Sequence, residues 1–470
     1  MNIISLFNSF VNYFSNILVN SSISLHELES KIYDSTYNLN LDTLKWILEF
    51  IDLQYKSSNE RKQLYYVKET RQRTLITSLG LITFNKTYYI SKSKTNGKYS
   101  YFSFLEDYLG IDKWAKMTLK AETTLINNAV DNGYTWSSKY SIPNHIVSRQ
   151  SISVKIKNIN HNYIEDVKRV DITPNTLYIE ADEVHSNLQN KGSKNKMNKI
   201  VPVILTHEGH KEIFVNKKQL KGKHYIASSI LKTNLLWNET FKYLDNKYDL
   251  NKIKYLFISG DGASWIKQYT EAFPNAIFIL DKFHYRKSLN YIFKKDPVIT
   301  NIADSYLRNR LIDEFKLLVN AQIELYPNQK KYMNKHMKYL INNIDGIINQ
   351  HHSMYKCPCS MEGHISNYYA RHLTSRPHAY SKDGLENIVQ LLTMKANNTN
   401  FTEEIYHKFK YGISTYKQLN LEKFVTHFKL QANKSINPNN KYLDSYYIDN
   451  SDFNHKDNYR LDFFLNNRCN

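Results

Sequence analysis

Leu177-Tyr-Ile-Glu-Ala-Asp-Glu-Val-His185 is a short apolar run that ends in acids, and it decides how the rest of the chain is read. Two further stretches share its character. Tyr255-Leu-Phe-Ile-Ser-Gly-Asp-Gly-Ala-Ser-Trp-Ile266 carries Asp261 after a second apolar run, and Cys357-Pro-Cys-Ser-Met-Glu-Gly-His-Ile-Ser-Asn367 carries Glu362 at the opening of a helical stretch. Apolar runs of this length read as buried strands. Carboxylates at strand ends and on a nearby helix are able to hold two divalent cations about 4 Å apart, the arrangement used for in-line displacement at phosphorus. A lone Asp after a strand more often caps a turn or a helix, so the weight lies on the three together.

The surrounding pattern extends this reading. Residues 171–295 alternate strands and helices, with strands expected at Thr176–Ala181, Ile200–His207, Glu212–Lys217, Tyr255–Ser259 and Ala276–Leu280. Three strands followed by strand–helix–strand is the order of a ribonuclease-H-like α/β sheet. It sets Asp182 on the first strand and Asp261 at the end of the fourth. Residues 296–355 are helical by pattern and read as an insertion, which explains why Glu362 stands so far beyond Asp261. Residues 356–400 return to the core. The polar, Asn- and Tyr-rich region 401–470 reads as a helix and then a loosely ordered tail.

Upstream, residues 1–70 look helical. Ile3, Phe7, Phe10, Phe14 and Ile17 form one stripe, and Leu41, Leu44, Ile47, Phe50 and Ile51 another. Residues 71–110 turn β-rich, and Asn96-Gly97 is expected to join strands Tyr88–Lys94 and Lys98–Phe104 as a hairpin. Residues 111–170 are helical again, with Asp112 as N-cap, Gly133 as stop, a short element at Thr135–Tyr140, a turn at Ile142-Pro-Asn144 and a last helix from Ser148. That is the outline of a helix-turn-helix. Arg149, Gln150 and Lys155 would then lie on the helix that reads DNA, Arg and Gln being types that bond bidentately to guanine and adenine. The competing reading is a plain three-helix packing unit.

The chain has 470 residues and a formal net charge of +19. A basic excess of this size favours polyanionic partners, although A/T-rich codon usage also inflates Lys. Cys357, Cys359 and Cys469 are the only cysteines, too few for a disulfide framework. Cys357-Pro-Cys359 with His364 and His372 has the wrong spacing for a zinc site. No apolar run is long enough for a membrane helix, and the start of the chain is amphipathic rather than a signal peptide.

The segments Tyr178-Ile-Glu-Ala-Asp-Glu-Val-His, Ser259-Gly-Asp-Gly-Ala-Ser-Trp-Ile, Leu280-Asp-Lys-Phe-His-Tyr and Glu362-Gly-His-Ile-Ser, with Ser375-Arg-Pro377, resemble the ISLre-type insertion-sequence transposases. These are DDE enzymes related to the Mutator-like group. Arg71-Gln-Arg-Thr with Gly80 and Tyr88-Tyr89 resembles the N-terminal part of that family. The resemblance implies a ribonuclease-H-like catalytic core, two Mg²⁺ or Mn²⁺ ions, DNA cleavage and strand transfer. It implies a homo-oligomer assembled on double-stranded DNA, in the bacterial cytoplasm at the nucleoid. It carries the metal-binding acids onto Asp182, Asp261 and Glu362, with Asp182 bridging both ions, and gives Asp281-x-x-His284 a place beside them. Oxygen ligands suit these ions better than zinc.

Rivals remain at each position. Glu180 shares a strand face with Asp182 because side chains alternate along a strand. Asp383 and Glu386 are alternative third acids, and His284 has a structural reading at a strand end. Arg371, Arg376 and the Lys191–Lys199 loop, with Lys194 and Lys196, are candidate phosphate contacts or solvated charges. Two other functions fit the same acids: a hydrolytic nuclease of the same fold, and an inactive DNA-binding protein derived from a transposase.

Overall fold

Ser24 opens the longest helix of the protein with a capping box. Its hydroxyl accepts from the Glu27 N–H at 3.3 Å, and the Glu27 carboxylate accepts from the Ser24 N–H at 3.1 Å. A computed structural model describes residues 3–20, 23–94, 97–159, 167–189, 197–214, 217–271, 275–374, 379–399, 401–403 and 405–407. All of them belong to one unit, Met1–Tyr416. Helices α1 (Ile3–Asn20), α2 (Leu25–Ser57) and α3 (Asn59–Leu64) come first. Ile17 and Ile51 of the expected stripes are buried, but the stripes do not hold throughout. Leu6 and Leu48 are buried, whereas Phe7 and Ile47 are exposed.

The helical reading of 1–70 overruns. Strand β1 (Tyr65–Thr77) begins at an aromatic, β-branched run and pairs antiparallel with β2 (Gly80–Ser91). The turn between them uses Gly80 at φ 135°, where a Cβ would come 2.4 Å from the Tyr37 hydroxyl. Asn96-Gly97 was expected to make the main hairpin of this region. Asn96 lies outside the described residues, and only the two-residue β3 (Tyr101–Phe102) pairs back onto β2. The dominant hairpin is β1–β2. Buried Asp52 ties α2 to it by accepting from the Thr87 N–H at 3.2 Å and the Thr87 hydroxyl at 2.6 Å.

After α4 (Phe104–Leu109) come α5 (Leu119–Asn132), α6 (Tyr134–Tyr140) and α7 (Arg149–Lys157). Gly133 stops α5 as expected, but the N-cap is Thr118, not Asp112. Asp112 lies in the preceding turn, where its carbonyl accepts from Arg73 at 3.0 Å. Ala121, Leu125, Ile126, Ile152 and Ile156 are fully buried, in one continuous core with the central sheet.

That sheet holds β4 (Thr176–Leu188), β5 (Met197–His207), β8 (His224–Ala227), β9 (Tyr255–Gly260) and β10 (Ala276–Leu280), in the order β10-β9-β4-β5-β8. β10, β9 and β4 are parallel; β5 runs antiparallel to both its neighbours. The third strand is thus His224–Ala227 and not Glu212–Lys217. The latter falls within a separate hairpin of β6 (His210–Phe214) and β7 (Lys217–Leu220). The reason is burial. Lys211, Glu212 and Ile213 are all exposed, whereas Tyr225 and Ala227 alternate into the core.

β4 is buried on both faces. Leu177, Ile179 and Ala181 pack with α8 (Thr233–Lys247) and α9 (Ser264–Glu271), around Trp237. Tyr178, Glu180, Asp182 and Val184 take the opposite face, as the two-residue period demands. After β10, helices α10 (Lys282–Ile292), α11 (Pro297–Arg308), α12 (Ile312–Leu325), α13 (Lys330–Asn342) and α14 (Ile344–Asn349) bury Leu289, Phe315, Val319, Met333 and Leu340 in a core of their own. The chain then returns through α15 (Met361–Ile365), a π-helical turn at Ser366–Ala370, α16 (Arg371–Leu373) and α17 (Lys382–Ala396). Among the described residues, no helix is long and apolar enough to cross a membrane.

Candidate active site

The β4–β9 register pairs Thr176 with Tyr255 and Glu180 with Ser259. Two residues further along, Asp182 and Asp261 come level, one still in its strand and the other just past the end of its own. Glycines flank Asp261 for steric reasons. A Cβ on Gly260 would lie 2.9 Å from the Ala181 carbonyl and 2.6 Å from Ile266. Gly262 adopts φ 88°, and a Cβ there would meet Asn343 at 2.5 Å. The Asp261 carboxylate accepts from the Ala263 N–H at 2.9 Å, which leads the chain into α9. Its carbonyl accepts from the Tyr339 hydroxyl of α13 at 2.7 Å, so that helix braces this corner.

Asp182, His284 and Glu362 come together from β4, α10 and α15. Each offers a potential ligand atom within 4.8 Å of the others. Burial pushes the Asp182 carboxyl up to about 6; the Asp261 and Glu362 charges push the same way, and the Glu183 N–H and His284 pull against them. It accepts a hydrogen bond from the Glu183 N–H at 2.8 Å. His284 Nε2 is buried without a hydrogen-bond partner and stands 3.9 Å from the Asp281 carboxylate. Asp281 caps α10 by accepting from the Phe283 N–H at 3.1 Å, and burial raises its carboxyl too. The donor set is therefore hard carboxylate oxygen with one imidazole, underused by the protein's own hydrogen bonds. Residues of these types could hold a divalent cation.

Two of the rival acids, Glu180 and Glu386, are engaged by donors. Glu180 is 1 % exposed and accepts from the Ser360 N–H at 2.9 Å, the Ser360 hydroxyl at 3.1 Å and His207 Nε2 at 3.1 Å. His207 Nδ1 accepts from the Gly209 N–H, which places the proton on Nε2, where it is donated to Glu180. Glu386 is equally enclosed. It accepts from the Ser228 and Ser229 hydroxyls, the Ser229 N–H and Gln390. Asp383 is exposed in the first turn of α17. Glu180 does work for the site indirectly: it clamps Ser360, two residues before Glu362, onto β4. Sequence reading treated Glu180 only as a competitor. Nothing local to Ser360 marks it as an anchor.

Cys357 lies 3.5 Å from His210 and Cys359 is free; burial holds both thiols well above their usual range. His364 bonds the Tyr225 hydroxyl at 2.5 Å rather than joining the cysteines. Among the described residues, the one group of His, Cys, Asp and Glu placed to hold a metal is Asp182, His284 and Glu362.

The candidate DNA contacts are spread more widely. Arg149 and Gln150 are exposed at the start of α7, and Ser148 caps that helix by accepting from Ser151 at 3.1 Å. Lys155 lies on the same helix, but its ammonium is paired with the buried Glu122 carboxylate. Arg371 is exposed in α16. Lys194, Lys196 and Arg376 lie outside the described residues.

Residues 18–409 match the Uncharacterised protein family (UPF0236), and the chain belongs to that family. Among its relatives is "UPF0236 protein TTE2489" of the bacterium Caldanaerobacter subterraneus subsp. tengcongensis. It is 28% identical over 430 residues, covering 89% of this chain and 90% of the relative. A second protein of that bacterium is 27% identical over 432 residues, covering 91% and 90%. Its name joins eleven designations, from TTE0033 to TTE2212. The family thus has many paralogues in one bacterium.

Proposed function

We propose that this protein is a DDE-type transposase with a ribonuclease-H-like core, cleaving DNA and joining its 3′ ends to a target duplex. The observation that carries the proposal is the approach of Asp182, Glu362 and His284, from three distant segments, beside Asp261 just past the end of the parallel neighbour β9. The sheet order, with one antiparallel strand between β4 and β8, is the one expected for such a core. The eleven designations sharing one relative's name fit the repeated insertion of a mobile element.

Asp182, Asp261 and Glu362 would hold the metal ions. Bound there, divalent ions supply activation of the attacking oxygen and stabilisation of the leaving one. The protein's own part is placement. β4 and β9 fix the two aspartates, and the Glu180–Ser360 clamp fixes the approach to Glu362. His284 keeps an unengaged ring nitrogen for a phosphate oxygen or a proton. In strand transfer, a DNA 3′-hydroxyl forms a new P–O bond to a target phosphorus. The bond to the target's 3′-oxygen breaks, and that oxygen leaves as a hydroxyl. One phosphodiester replaces another, so no ATP is needed.

The test is a joining assay with pre-cleaved ends of the encoding element and a target duplex. Joined products are expected in Mg²⁺ or Mn²⁺ and not in Ca²⁺, whose looser coordination suits binding but not this chemistry. Degradation without joining, in every metal, would replace this reading with a hydrolytic nuclease.

A further inference from the structure

A groove of about 820 Å³ runs along α10 beside the candidate active site. One wall carries Lys282, Phe283, Lys287, Tyr291, Lys294 and Lys295; Pro358 and Cys359, on the approach to Glu362, form part of the other. Phe283, Lys287 and Tyr291 recur every fourth residue, which stacks them along one helix face. Phe283 is 48% exposed and Tyr291 36%, high for aromatic rings beside a buried core. The Phe283 ring lies edge-on to His284 at 5.4 Å, and Asp281 lines the groove beside it.

The cations are arranged about these rings. Lys287 lies 5.8 Å from the Phe283 ring centre, and Lys294 lies 4.9 Å from that of Tyr291. Lys294 also bonds Gln329, which makes it a brace for Tyr291. Lys294 and Lys295 adopt φ 56° and φ 65°. Two successive left-handed residues without glycine are unfavourable, and such strain gathers where a ligand is clamped. The helix dipole favours cations at a C-terminus, but it does not ask for left-handed ones.

We infer that this groove holds an unpaired stretch of the DNA strand beside the scissile phosphate, with bases stacked on Phe283 and Tyr291 and phosphates met by Lys282, Lys287 and Lys295. Duplex DNA offers its base faces to no side chain, whereas rings interleaved with cations are the platform that single strands use. The inference rests on the proposed action on DNA, and it names the form of DNA that the site receives.

The experiment is fluorescence anisotropy on the full chain, in EDTA, with a short oligothymidylate and a duplex of equal length. Phe283→Ala and Tyr291→Ala should each weaken oligothymidylate binding roughly tenfold and leave duplex binding within about twofold. Phe283→Trp should restore it. Lys287→Ala and Lys295→Ala should each flatten the salt dependence by about 0.7 in log–log slope. Equal losses on both DNAs, or none on the single strand, in variants that melt like the parent, would overturn the groove assignment. A protein that passes these tests yet joins no DNA would sink the transposase reading and keep the groove. One that joins DNA with Phe283→Ala unimpaired in single-strand binding would do the reverse.

Discussion

Glu180 and Asp182 stand two residues apart on one face of β4, in opposite company. Glu180 is surrounded by donors from Ser360 and His207. Asp182 receives one N–H from its neighbour and otherwise looks towards Asp261, Glu362 and His284. A buried carboxylate costs the fold several kcal/mol unless donors answer it. The fold answers Glu180 and leaves Asp182 largely unanswered, with its carboxyl pushed up to about 6. Groups of the first kind hold structure together. Groups of the second kind hold something else, and perturbed acids facing one another are a mark of such sites.

The two carboxylates should differ most in activity. Asp182→Asn and Asp261→Asn should each reduce DNA joining on the order of a thousandfold, because several kcal/mol of metal-borne charge stabilisation is removed. DNA binding should persist. Metal-free Asp182→Asn should melt no lower than the parent at neutral pH, since an unfavourable charge is lost. Glu180→Ala should behave the other way. Stranding the donors of Ser360 and His207 should cost about 3 kcal/mol in a denaturation experiment. Glu386→Ala should destabilise similarly through Ser228, Ser229 and Gln390, without altering the metal dependence of whatever activity survives. If Glu180→Ala left stability intact and abolished metal binding, the division between the two carboxylates would be wrong.

The pH dependence sharpens it further. The Asp182 carboxyl rises from 3.8 to about 6 on folding, so the folded chain holds that proton more tightly than the unfolded one. Its contribution to metal-free stability is therefore favourable below pH 4, falls between pH 4 and about 6, and is level above. Metal must displace the same proton. The rise in melting temperature on adding Mn²⁺ should be small at pH 5 and full at pH 7.5, and Asp182→Asn should remove that difference.

The smallest expected effect lies at α7. Arg149→Ala should lose preference for element-end sequence by about 1–3 kcal/mol while keeping most of its affinity for arbitrary duplex. Lys155→Ala should act mainly on stability, since that ammonium answers Glu122. Uniform loss on all sequences with Arg149→Ala would make Arg149 a phosphate contact instead.

Much of this arrangement was legible because it follows from periodicity. Apolar runs marked β4, β5, β9 and β10, and residues 296–355 patterned as helices. The misplaced strand shows where such reading fails. His210–Leu220 alternates well enough to pair, yet nothing in it says that it pairs with itself. His224–Ala227 is only four residues long and is recognised by what it packs against. Likewise Thr118 and Asp112 are equally good caps in isolation, and Arg73, distant in sequence, draws Asp112 into the turn. In the site, the acids and His284 carry local motifs. Ser360 as a clamp, Tyr339 as a brace and the left-handed lysines of the α10 groove depend on contacts from distant segments or on backbone geometry.

We propose that the unanswered carboxylates are a metal site. Crystals soaked in Mn²⁺ and recorded at a wavelength where manganese scatters anomalously test it most directly. Anomalous density should appear between Asp182, Asp261 and Glu362, and vanish in Asp182→Asn crystals treated alike. Density absent from that cluster at saturating Mn²⁺ and neutral pH, or found instead at Cys357 and His210, would rule out a metal site there.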